Sequence, residues 1–425
     1  MKITPLNSPI NHTLTRVSSD KSISHRCAIF SLLSRETSEV ADYLEAGDTL
    51  NSLEIIKALG AKVEKMGEGH YLITPPAKIV SPNRVLECGN SGTAMRIFMG
   101  LLAASDGFFV LSGDEYLNER PMKRVAAPLA SVGAKIYGRE GANKAPLAIE
   151  GGKLSYFKFE SQIASAQVKT ALILAGLLGE GCSFSEPALS RDHSERMLRG
   201  MGAEISGEYS NLKVSPLKAP LKPLKMSVPN DPSSCFFFAV AAAITPGSNL
   251  KIQNILLNPT RIEAFKVLEK MGAKITYKRT SSDFDEVGEI TVEGSNLNAV
   301  EVSENIAWLI DEAPALAIAF ACANGVSRLR NAAELRVKES DRITVTVNAL
   351  KKCGIKAREL EDGFEITGGE PRAAAIESMG DHRIAMSFAI LGLKCGMEIR
   401  GGEFIATSFP RFSEILREIG ASVED

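Results

Sequence analysis

Two short stretches place carboxylates where proton chemistry would need them. In NIAWLIDEAPALAIAFACA (305–323), Asp311 and Glu312 interrupt an otherwise apolar helical run. In RVKESDR (336–342), five of seven residues are charged, among them Lys338, Glu339 and Arg342. A carboxylate set among bases suits proton transfer to an anionic substrate. Further basic residues stand in polar motifs: Lys21 and Arg26 in DKSISHR (20–26), Arg120 and Arg124 in NERPMKR (118–124), Arg191 in LSRDHSER (189–196), and Arg383 in GDHR (380–383). Arginine offers a planar fork to phosphate or carboxylate, and lysine a point charge. Gly89-Asn90-Ser91-Gly92-Thr93 is a helix start at which backbone can approach a phosphate. Taken singly, each feature is most simply a solvated charge or an ordinary turn. What points to a site is the recurrence of the basic residues at matching points of a repeat.

That repeat is a phrase of the form Leu-x-x-apolar-Gly-Ala-x-Val, found six times and centred on Gly60, Gly133, Gly202, Gly272, Gly354 and Gly420. An aliphatic residue four before each glycine and an apolar residue one before it share a helix face. The glycine suits the left-handed position just past a helix end, and a short strand follows. A second motif, a polar cluster leading into an apolar helix, also occurs six times, at 20–34, 89–104, 161–178, 230–244, 305–323 and 380–395. Its small polar starts read as N-caps. The unit is therefore β-α-β-α-β-β, repeated six times. The sixth copy stops at Asp425, before its last strand. Residues 1–17 have strand character and are expected to complete a sheet of the C-terminal half, which puts both termini in one domain.

Six units divide into two domains of three. One is expected over 1–19 plus 230–425 and the other over 20–229, with hinges near 19–21 and 227–232. Pseudo-threefold packing would gather three helix N-termini in each domain, and helix N-termini bind anions. Two such faces across a cleft would hold a polyanionic small molecule.

Composition narrows the class. A net charge of −2 implies no bulk nucleic-acid or anionic-membrane partner. There is no N-terminal signal pattern, and no apolar run long enough to span a bilayer. The seven cysteines are scattered, without Cys-x-x-Cys, and read as buried thiols of a reduced cytoplasm. The five histidines show no metal-ligand spacing. No Walker A or dinucleotide fingerprint is present.

DKSISHR, GNSGTAMR, NERPM, SAQVKTALILAGL, RVKESDR and GDHRIAMSFAI, in this order along the whole chain, resemble the 5-enolpyruvylshikimate-3-phosphate synthase family. The resemblance implies a two-domain, inside-out α/β barrel-like fold with three units per domain. It implies transfer of enolpyruvyl from phosphoenolpyruvate to the 5-hydroxyl of shikimate 3-phosphate, on the shikimate pathway to chorismate and the aromatic amino acids. It also implies no metal or organic cofactor, a monomeric cytoplasmic enzyme, and glyphosate as an inhibitor at the phosphoenolpyruvate site.

Carried over by motif, the shikimate 3-phosphate contacts are Lys21, Ser22, Arg26, Ser165, Ala166, Gln167, Asp311 and Lys338. The phosphoenolpyruvate contacts are Lys21, Gly92, Arg120, Gln167, Arg342 and Arg383. Asp311 resembles the base toward the 5-hydroxyl, Glu339 the group that protonates the methylene carbon, and Lys21 a catalytic cation touching both substrates. SAQ and RDHSERM are similar to the second bacterial class, in which Arg191 takes part of the shikimate 3-phosphate site. A lysine common before Thr-Phe-Pro in the family is missing from Ala406-Thr407-Ser408-Phe409-Pro410. Two alternatives remain. One is the UDP-N-acetylglucosamine enolpyruvyl transferase family, whose Lys-Asn start and loop cysteine are absent here. The other is a non-catalytic anion-binding scaffold.

Overall fold

The computed structural model describes residues 1–207, 211–281 and 284–424; Asp425 lies outside them. The chain divides into two compact units, Ser19–Val228, and Met1–Ser18 joined with Pro229–Asp425. Among the described residues, each unit carries three of the six four-stranded sheets.

The six glycines do what the repeat requires of them. Their φ angles run from 79° at Gly354 to 103° at Gly60, a region that side chains with a Cβ rarely adopt. In every copy the next residue donates its N–H back to the aliphatic position of the phrase: Ala61 to Ile56, Ala134 to Leu129, Ala203 to Leu198, Ala273 to Leu268, Ile355 to Leu350 and Ala421 to Leu416. This is a Schellman closure, which satisfies carbonyls that the helix end would otherwise leave open. The chain then enters the third strand of each unit.

Within Ser19–Val228, the helices Lys21–Ser31, Gly92–Ala103 and Ala166–Leu178 are buried on nearly every face. The strand Lys62–Gly67, by contrast, is exposed along most of its length. Helices thus form the interior and sheets the wall, the reverse of a barrel with a strand core. A helix apolar all round has no other stable place. Gly100 lets two of these helices meet, because a Cβ there would run into the backbone of Ala171. The first sheet takes its missing strand from Lys225–Ser227, which pairs in parallel with Ser38–Ala41.

In the other unit, Pro232–Ala243, Ala313–Ala321 and His382–Cys395 form the interior. The N-terminal segment supplies strands to two sheets rather than one. Asn11–Leu14 lies parallel to Asn249–Leu256, and Lys2–Ile3 sits between Met397–Arg400 and Val423–Glu424. Among the described residues, no helix is long and apolar enough to cross a membrane.

Candidate active site

The polar helix starts act as the caps their composition suggests. Asp20 accepts from the Ile23 N–H, Ser91 from Ala94, Ser165 from Val168, and Asp381 from Arg383 and Ile384. The helix expected across Asp311 is different. It breaks into Ile306–Leu309 and Ala313–Ala321, and Asp311 lies in the turn between them rather than inside a helix. Pro314 explains the break, since proline fits the first turn of a helix and cannot continue one. The result brings Asp311 to a helix N-terminus.

In Ser19–Val228 several of the predicted side chains are held by hydrogen bonds to neighbouring polar groups. Lys21 donates to Asp48 at 2.9 Å. Arg26 is buried; it donates to the Ser194 hydroxyl at 2.8 Å, to the Thr170 hydroxyl at 3.0 Å and to the Ser22 carbonyl at 2.9 Å. Thr170 lies on the helix that Ser165 caps and that begins with Ala166 and Gln167. The Gln167 amide is fixed at both ends: Arg96 donates to its oxygen at 2.9 Å, and its nitrogen donates to Thr93 at 3.1 Å. Arg96 also holds the Pro121 carbonyl at 2.8 Å, beside Arg120. Arg120 reaches the Asn90 carbonyl at 3.4 Å. A Cβ built on Gly92 would lie 3.0 Å from Arg96 Nη1 and 3.2 Å from Arg120 Cζ, so the glycine leaves room for two guanidinium groups. His25 ties the two helix starts together, with Nδ1 2.8 Å from Ser52 Oγ and Nε2 3.2 Å from the Ser91 cap. Burial, reinforced by the charges of Lys21 and Arg26, holds its imidazole well below the usual histidine range, so it stays neutral. Arg191 stands in the loop between Cys182–Ser185 and His193–Gly200.

The second cluster belongs to the other unit and is built around Arg342, the first residue of its helix. The side chain is 1% exposed, with Nε 2.8 Å from Asp381 and Nη2 2.7 Å from Glu339. Nη1 lies 3.6 Å from Asp311, whose carboxylate is also 3.6 Å from the Lys338 ammonium. Arg383 donates to the Asp311 carbonyl at 3.0 Å. Burial alone would lower the pKa of Arg342, but Asp381, Glu339 and Asp311 together reverse that and push it up. Burial would likewise raise Asp381, and Arg342 pulls it below the ordinary carboxylate range. Asp311, Lys338, Glu339 and Arg383 each keep part of their side chains accessible, so a ligand can reach them.

Asp48, Arg96, Thr170, Ser194 and Asp381, which hold these residues in place, are not among those the sequence singles out. A signal existed for Arg96, a cation inside the apolar helix GTAMRIFMGLLA. At the C-terminal position where the family lysine is missing, the chain forms a short 3-10 turn, Gly402–Thr407. The Thr407 hydroxyl there donates to the Phe404 carbonyl at 2.7 Å.

The profile of the EPSP synthase (3-phosphoshikimate 1-carboxyvinyltransferase) family matches residues 6–416. The chain is 71% identical over 426 residues to a 3-phosphoshikimate 1-carboxyvinyltransferase of Campylobacter fetus, covering 100% of both chains. It is 59% identical over 428 residues to one of Campylobacter jejuni, again covering 100% of both. The solved EPSP synthase of Acinetobacter baumannii superposes with a TM-score of 0.87 at 38% identity, over 100% of this chain and 99% of that one. An enolpyruvyl transferase from Streptomyces tendae, at 16% identity, shares the fold with a TM-score of 0.79 over 100% of this chain and 98% of that one.

Proposed function

The chain belongs to the EPSP synthase family and transfers the enolpyruvyl group of phosphoenolpyruvate to the 5-hydroxyl of shikimate 3-phosphate, and from that premise we propose how its residues divide the work. The reaction is a step of the shikimate pathway to the aromatic amino acids. The UDP-N-acetylglucosamine alternative is not favoured.

Phosphoenolpyruvate must gain a proton at C3 for C2 to become electrophilic. The 5-hydroxyl must lose its proton as its oxygen bonds to C2. The tetrahedral ketal phosphate then loses a C3 proton as the C2–O bond to phosphate breaks. Glu339 is the group that gives the C3 proton and takes one back; Asp311 is the base toward the hydroxyl. The observation that carries this reading is that both carboxylates flank one buried guanidinium, Glu339 at 2.7 Å and Asp311 at 3.6 Å from Arg342. An arginine so held is preorganised for the charge of a phosphate or carboxylate, so little reorganisation is left for the reaction itself.

Lys21, Gly92, Arg120, Gln167, Arg342 and Arg383 are assigned to phosphoenolpyruvate. Lys21, Ser22, Arg26, Ser165, Ala166, Gln167, Arg191, Asp311 and Lys338 are assigned to shikimate 3-phosphate. Glyphosate is assigned to the phosphoenolpyruvate set, and the chain is taken to act as a monomer. Reaction in deuterated water tests the route. A methyl-bearing intermediate mixes solvent deuterium with the two original hydrogens, so the product should carry deuterium in its methylene group. A product free of deuterium would exclude addition followed by elimination.

A further inference from the structure

The loop that carries Arg191 rests on a buried charge cluster that none of the steps above uses. Lys169 lies near the start of Ala166–Leu178 and is fully buried. Its ammonium donates to Glu186 at 2.9 Å and to the Ser190 carbonyl at 3.3 Å, and lies 2.8 Å from Glu195. Glu186 directly follows the strand Cys182–Ser185, and the same oxygen accepts from the Ser190 N–H at 2.9 Å and the Ser190 hydroxyl at 3.0 Å. Glu195 stands in the first turn of His193–Gly200. The segment from 186 to 195 therefore leaves one element and enters the next at two carboxylates held by one ammonium.

The adjacent residue repeats the arrangement with neutral groups. The Thr170 hydroxyl bonds that of Ser194, and Arg26 donates to both. Lys169 and Thr170 on one helix thus grip Glu195 and Ser194 on another. Burial raises the pKa of Glu195 against the opposing pull of Lys169.

Three buried charges are a poor source of stability, because the loss of hydration offsets the attraction and apolar residues would do as well. What they supply is a fixed register. We propose that Lys169 is a positioning residue for shikimate 3-phosphate: it holds the Arg191 loop and the Arg26–Ser194 contact in register with Ser165, Ala166 and Gln167, so that the phosphate meets donors already in place. The inference rests on the reading above that these groups bind shikimate 3-phosphate.

The test compares Lys169→Met, Lys169→Met/Glu195→Gln and Arg191→Ala by steady-state kinetics and thermal unfolding. The single variant leaves two carboxylates without their partner; the double variant removes one of those charges, so the cluster keeps the formal net charge of the parent. In the double variant, KM for shikimate 3-phosphate should rise by about tenfold while KM for phosphoenolpyruvate and kcat stay within about twofold, since a lost positioning contact acts on binding. Arg191→Ala should shift the same constant. A folded double variant with an unchanged KM for shikimate 3-phosphate, beside an affected Arg191→Ala, would overturn the role of Lys169 alone. An unaffected Arg191→Ala would overturn the reading beneath it. Where neither Lys169 variant folds, Ser190→Ala decides. It deletes one hydrogen bond to Glu186 and should raise the same KM by about threefold; no change would overturn the proposal.

Discussion

One carboxylate, that of Asp381, lies 2.8 Å from the Arg342 guanidinium and also caps the helix that carries Arg383. Two arginines assigned to phosphoenolpyruvate are thus oriented by one residue that is itself fully buried. Asp381→Ala would leave Arg342 short of its partner in a low-dielectric site. Removing one member of such a pair costs about 3–5 kcal/mol. The expected outcome is a loss of that size in denaturant unfolding, with KM for phosphoenolpyruvate raised. Asp381→Asn, which keeps the cap, should lose less stability. Equal stability of Asp381→Ala and the parent would show that the pair is not held as described.

Acid sensitivity should carry the mark of His25. Its imidazole stays neutral in the fold, whereas the unfolded chain binds a proton below about pH 6.5. The unfolded state therefore gains protons that the native state does not, and stability falls as pH drops below about 6.5, by at most about 1.4 kcal/mol per pH unit. Above that range His25 contributes no pH dependence. Unfolding free energies of the parent and His25→Gln, taken between about pH 5 and 7.5, should converge toward the acid end. Parallel curves would mean that His25 is protonated in the native protein.

Gly92→Ala tests the assignment of Gly92 to phosphoenolpyruvate. The new methyl meets the ends of Arg96 and Arg120 at 3.0 and 3.2 Å, closer than ordinary contact, so these flexible groups must shift. Phosphoenolpyruvate affinity should fall. Glyphosate, slightly longer, should lose more, by about 1–3 kcal/mol of discrimination for one methyl. Inhibition constants measured with phosphoenolpyruvate varied at saturating shikimate 3-phosphate decide the matter. Equal constants for both proteins would remove Gly92 from the glyphosate contact.

Local chemistry made much of this legible in the sequence. The C′ position needs a positive φ, so Gly60 and its five counterparts announced the helix ends. Asp20, Ser91, Ser165 and Asp381 announced the starts because a cap must accept from nearby N–H groups. What could not be read depends on distant contacts. Asp48 is a surface-type residue by pattern, and only the packing of two helices puts it on Lys21. Glu186 and Glu195 likewise meet Lys169 only through the fold. The opening segment looked like one added strand, yet Lys2–Ile3 and Asn11–Leu14 enter different sheets, since pairing partners lie hundreds of residues away. The apolar run continues past Asp311 and so suggests one helix there, whereas the structure has two. Pro314 carried the correct signal.

The division of labour between the two carboxylates is tested most directly by Asp311→Ala and Glu339→Ala, with turnover and shikimate 3-phosphate binding measured on the same preparations. Each should lose about two to four orders of magnitude in turnover, the range for a general acid or base. Binding of shikimate 3-phosphate should survive Glu339→Ala better than Asp311→Ala, since only Asp311 is assigned a contact with that substrate. Near-normal turnover in either variant would contradict the account.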